Sequence, residues 1–148
     1  MNFYFAGAIR GGRDDAEIYR NIIEFLQSRG TVLTEHVGDE TLLQEEQSLS
    51  EKEIYARDMR WLEEADLLIA EVSTPSLGVG YELAVAEKLN IPCLCLFRNN
   101  KNNSLSAMIA GNSFFKVIVY TSLKEVEKYI SHSLQKFFDS KSQINPFS

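Results

Sequence analysis

The chain has 148 residues, 45% hydrophobic and 24% charged, which suits one domain with one sizeable core. Its formal net charge of −6 repels a nucleic-acid backbone and argues against binding to duplex DNA or RNA. Two cysteines, Cys93 and Cys95, form neither a disulfide framework nor a Cys/His metal pattern, and no apolar run approaches a membrane span.

Phe3 to Ala6 reads as a first strand, closed by Gly7 and the turn-rich Arg10-Gly11-Gly12-Arg13. Asp14 or Asp15 is placed to cap a helix that carries Ile18, Ile22, Ile23 and Leu26 on one face and stops at Gly30. Thr31 to Thr34 is a second strand. The acidic, polar stretch from Asp39 to Ser50 lacks apolar periodicity and is expected to be a surface loop. Ser50 and Glu53 form a capping-box signature for a helix running to about Glu64. Leu67 to Val72 has the composition of a strand buried on both faces.

Thr74-Pro75-Ser76-Leu77-Gly78-Val79-Gly80 turns into a helix ending near Asn90, and Pro92 introduces a fourth strand, Cys93 to Phe97. On that strand both cysteines point to one face, as small buried hydrophobes. A polar loop, a helical turn from Ser104, a fifth strand from Phe115 to Tyr120 and an amphipathic helix from Leu123 to Phe138 complete the pattern. Residues 1–138 are expected to form the domain and residues 139–148 a loose tail. Strands alternating with helices predict an α/β fold, a doubly wound five-stranded parallel sheet with helices on both faces and the flavodoxin-like order 2-1-3-4-5. Ligands in such folds bind beyond the carboxyl ends of the strands, where the order reverses between strands 1 and 3.

The chemistry-bearing residues gather around that point. After strand 1, glycines let backbone N–H groups converge on an anion, and Arg10 can grip phosphate with a planar fork of donors. A glycine turn with a solvated arginine would look the same. After strand 3, Ser76 and two glycines precede Glu82 at a helix N-terminus, which favours an anion and the ionised form of the carboxylate. Glu82 is thus a nucleophile or a simple dipole partner. Asp58 shares a helical face with Leu62 beside Trp61, a setting for an acid or for a surface ion pair. His36 follows strand 2 and is the histidine near the expected site; Tyr4 reads as core and Ser106 as a helix cap.

Taken together, these segments resemble the 2′-deoxynucleoside 5′-monophosphate N-glycosidases, a branch of the nucleoside 2-deoxyribosyltransferase-like proteins. The resemblance rests on Tyr4-Phe5-Ala6-Gly7-Ala8-Ile9-Arg10-Gly11-Gly12-Arg13, Gly30 to Val37, Ala70 to Leu83, Leu94 to Arg98 and Leu105 to Ile109. It implies that Glu82 attacks C1′, that Asp58 assists departure of the base, and that Tyr4 lies near the sugar. The substrate-binding set it implies is Gly7, Ile9, Arg10, Gly11, His36, Ser76, Gly78, Ser106 and Met108. Arg10 and Ser76 would hold phosphate, joined by Ser106 from the other subunit of a homodimer, while His36 would lie near the base.

The implied substrate is a small deoxynucleotide, without metal or organic cofactor. The cysteine usage and the lack of a basic, apolar leader or membrane-length run lead separately to an expected cytoplasmic setting, with a nuclear pool also compatible. One departure concerns phosphate: some family members carry a serine where this chain has Ala8, and losing one such donor costs about 1 kcal/mol. The alternatives on the same fold are a deoxyribosyltransferase, a non-catalytic nucleotide-binding module and a flavodoxin-like electron carrier.

Overall fold

In the computed structural model the described residues are 1–9, 13–34, 37, 48–100 and 102–143; for Arg13 and 141–143 the backbone alone is described. Arg10, Gly11, His36 and most of the acidic stretch from Asp39 lie outside them.

Five strands, β1 (Asn2–Ala6), β2 (Thr31–Val32), β3 (Leu67–Glu71), β4 (Cys93–Arg98) and β5 (Phe115–Tyr120), form one parallel sheet in the order β2-β1-β3-β4-β5. The register pairs Tyr4 with Leu68 and Ala70 with Cys95, so the carboxyl ends of the central strands share one edge. The helices are α1 (Arg13–Gln27), α2 (Glu51–Glu64), α3 (Leu77–Lys88), the short α4 (Ala107–Ala110) and α5 (Leu123–Gln143).

The strand period of two divides the core into two clusters. Phe3, Phe5, Leu67, Ile69, Leu94 and Leu96 face α1 and α5, where they meet Ile22, Leu26, Val126 and Ile130. Tyr4, Leu68, Ala70, Cys93 and Cys95 face the other way, against Leu62 of α2 and Val79, Leu83 and Ala86 of α3. Both cysteines are free and buried, as their spacing predicts, and burial pushes their thiols up to about 12.

Four local departures from the sequence reading have physical causes. β2 is two residues long because the Thr34 side chain replaces the ladder: its hydroxyl accepts from Phe5 N at 2.8 Å and donates to Phe5 O at 2.7 Å. Asp14 and Asp15 do not cap α1; they lie within its first turn, and the Asp15 carboxylate is engaged elsewhere. Tyr19 joins the buried face of α1 with Ile22, Ile23 and Leu26, whereas Ile18 is only partly buried. The last helix continues past Phe138 to Gln143, supported by Gln135 donating to Asp139 at 3.0 Å.

The capping box forms as expected. Ser50 Oγ accepts from Glu53 N at 3.2 Å, and Glu53 accepts from Ser50 N at 2.7 Å. Among the described residues, no helix is long and apolar enough to cross a membrane.

Candidate active site

Tyr4 lies in the middle of β1 and points to the α2/α3 side of the sheet, where it is 1% exposed. Its hydroxyl donates to Glu82 Oε1 at 2.5 Å, at the short end of the range for a phenol on a carboxylate. Burial, then the Glu82 charge and this hydrogen bond, raise the Tyr4 phenol far above its ordinary range. The phenol therefore remains a proton-bearing donor and does not serve as a base.

Glu82 is delivered by α3. Ser76, extended at φ −146°, caps that helix and accepts from Val79 N at 3.3 Å. Val79, Leu83 and Ala86 anchor α3 to the sheet, which leaves Glu82 on the flank towards α2. From α2 come Asp58 and Arg57, both within electrostatic reach of the Tyr4 phenol. Leu62, fully buried, holds this turn of α2 against the sheet.

The Asp58 carboxylate accepts from Arg57 Nε at 2.9 Å, and the Arg57 guanidinium lies 4.8 Å from the centre of the Trp61 ring. Three elements thus bring Tyr4, Glu82 and Asp58 together on the α2/α3 face of the sheet. Arg57 was not singled out by sequence reasoning. Its signal was its place next to Asp58 and four residues before Trp61.

Ser76, Ser106 and Met108 meet in a different place. They line a cavity of about 470 Å³ together with Leu77, Gly80, Leu83 and Ile109. Gly80 and Glu82 are about 200° apart around an α-helix, so this cavity lies on the opposite flank of α3 from the carboxylate cluster. Ser106 does cap α4, accepting from Met108 N at 3.3 Å. The cavity rim is conspicuously apolar, with Leu77 97% and Met108 81% exposed. Gly78 lies in the first turn of α3, and Ile9 is exposed just beyond β1.

The start of the glycine turn is held from α1. Ala8 N donates to Tyr19 Oη at 3.1 Å, which commits that backbone donor within the protein. Gly7 rests directly on the same ring: a Cβ there would lie 2.8 Å from Tyr19 Cε2. The requirement at position 7 is therefore close approach rather than an unusual backbone angle. Among the described residues, no group of three or more His, Cys, Asp or Glu side chains could hold a metal ion.

A parallel α/β domain with a phenol-bound glutamate and a nearby aspartate on one face of its sheet has the makings of an enzyme that works through carboxylates. Comparison with known proteins narrows this. The family model for nucleoside 2-deoxyribosyltransferase matches residues 3–136, and the chain belongs to that family.

It is 45% identical to the 5-hydroxymethyl-dUMP N-hydrolase of Danio rerio, over 95% of this chain and 97% of that one. The rat protein of the same name is 44% identical, over 94% of this chain and 88% of that one. A solved structure of a Clostridium botulinum CMP N-glycosidase shares the fold, with a TM-score of 0.65 and 20% identity over 90% of this chain and 99% of that one.

Proposed function

We propose that this chain hydrolyses the N-glycosidic bond of 2′-deoxynucleoside 5′-monophosphates to free base and 2-deoxyribose 5-phosphate, through a covalent intermediate on Glu82. The observation that carries this reading is the 2.5 Å hydrogen bond from Tyr4 to Glu82 with Asp58 alongside. The names of the Danio rerio and rat relatives support it and make 5-hydroxymethyl-dUMP the first substrate to try.

The reaction runs in two halves. A Glu82 oxygen attacks C1′ as the bond to the base nitrogen breaks, and the electron pair leaves with the base. Asp58 faces the departing base and hydrogen-bonds or protonates it. Water then adds to C1′, a carboxylate of the site takes its proton, and Glu82 departs as the carboxylate. Tyr4 holds Glu82 in line during the first half and stabilises its returning charge in the second. A deoxyribose lacks the electron-withdrawing 2′-hydroxyl, so its oxocarbenium-like transition state needs few catalytic groups.

Arg10 and the glycine turn are the proposed phosphate readers, with Ser76. A second copy of the chain covering the exposed Leu77 and Met108 would bring its own Ser106 to the phosphate, and this favours a homodimer. The relevant experiment is Glu82→Ala: turnover should vanish while the folded protein and its nucleotide binding persist. Wild-type turnover in that variant would remove Glu82 from the mechanism. Adding a second free base to the wild-type reaction separates hydrolysis from transfer, since transfer yields a new nucleotide instead of free sugar phosphate.

A further inference from the structure

The α1/α5 side of the sheet carries a second polar cluster, at the carboxyl ends of β3 and β4 and on the opposite face from Tyr4. Glu71 ends β3 and is 1% exposed. It accepts from Ser73 Oγ and, at 3.1 Å, from Tyr120 Oη. Ser73 Oγ in turn accepts from Arg98 N at 2.7 Å, joining the β3–α3 loop to the end of β4.

Asp15 is the hub of this cluster, at 4% exposure. One carboxylate oxygen accepts from Thr74 Oγ1 at 2.6 Å and the other from Arg98 Nη2 at 2.8 Å. The hydrogen bond to Asp15 raises the Arg98 guanidinium above its ordinary value.

We infer that Asp15 and Arg98 are positioning residues that set the separation between the backbone at Gly7 and Ala8 and the Ser76 loop, and so set the preference for a 5′-monophosphate. α1 holds the start of the turn through Tyr19, which bonds Ala8 N and packs on Gly7. It holds the other wall through Asp15, which grips Thr74 two residues before Ser76. Arg98 neutralises Asp15, whose bare charge beside a phosphate site would repel the substrate. One helix thus grips both sides of the crevice, and Arg98 braces that grip against β4.

This inference rests on the proposed reading that the turn and Ser76 receive phosphate. It is tested by measuring kcat/KM for a deoxynucleoside monophosphate and for the matching unphosphorylated nucleoside. The set comprises the wild type, Asp15→Ala, Arg98→Ala, Arg98→Lys and Thr74→Val. The preference for the monophosphate should fall by about tenfold to a hundredfold in the alanine variants, mainly through KM, since small displacements of a binding wall act at that scale. Arg98→Lys should recover part of the preference.

Thr74→Val keeps the side-chain shape, so it tests the Asp15 contact even if Asp15→Ala fails to fold. A merely structural role would lower the amount of active enzyme for both substrates alike and leave the ratio unchanged, which would overturn the inference. A wild type without preference for the monophosphate would overturn the phosphate reading itself.

Discussion

Replacing Tyr4 with phenylalanine removes one oxygen from a side chain that is 1% exposed and leaves the ring packing in place. The lost interaction is the 2.5 Å hydrogen bond to Glu82. A hydrogen bond to a charged group contributes about 1.5–3 kcal/mol. In the second half of the proposed reaction Glu82 regains its negative charge, so most of that contribution should be felt in the barrier for its release.

Release of the sugar should therefore slow by about 10- to 150-fold. Release of the base, in which Glu82 loses charge, should slow less. The expected signature in rapid-mixing experiments is a burst of free base equal to the enzyme concentration, followed by a slow steady state with a reduced KM. Because the phenol favours the ionised carboxylate, the acid limb of the rate profile should also move to higher pH in the variant. An unchanged kcat, or a lowered kcat with no burst and no movement of the acid limb, would refute the reasoning.

Burial raises the Glu71 carboxyl above its ordinary range, with Ser73 and Tyr120 opposing the shift. The folded state thus holds this proton more tightly than the unfolded chain, so Glu71 costs stability as pH rises from the usual carboxylate range through its raised value. Glu71→Gln keeps an acceptor for both partners and should gain on the wild type in urea midpoint as the pH rises from the usual carboxylate range towards neutrality. A constant difference across that span would show that Glu71 titrates as it does in the unfolded chain. For the assembly, Met108→Glu places a charge on a side chain that is 81% exposed at the cavity rim. Sedimentation should show a dimer for the wild type and a monomer for the variant, and a wild-type monomer at micromolar concentration would end the homodimer proposal.

The strand and helix pattern was legible because the strands are short apolar runs and α1, α2 and α5 each have a clear apolar face. The strand order followed from five strands joined by helical crossovers. Glu82 was legible as a position but not as a role, since a carboxylate near a helix N-terminus also serves the dipole alone. The observation that favours the proposed role is the Tyr4 contact, which spans 78 residues of sequence. The Asp15 cluster was illegible for the same reason: Asp15 and Arg98 are 83 apart, and each alone looks like an ordinary surface charge. Glu71 did leave a trace, as a charged residue closing an otherwise apolar strand. The short β2 was hidden because a threonine hydroxyl imitates backbone pairing, and no periodicity reports that.

The contact between Gly7 and Tyr19 has a consequence for how this enzyme can change over generations. A methyl group at position 7 would enter the ring that also holds Ala8 N, so a substitution there disturbs the chain after β1 and the grip of α1 together. Such a change becomes tolerable only if position 19 shrinks first, and shrinking it releases the Ala8 donor. The two positions are therefore expected to drift as a linked pair, and a lineage that exchanged both would arrive with a backbone N–H at position 8 newly free to take another acceptor.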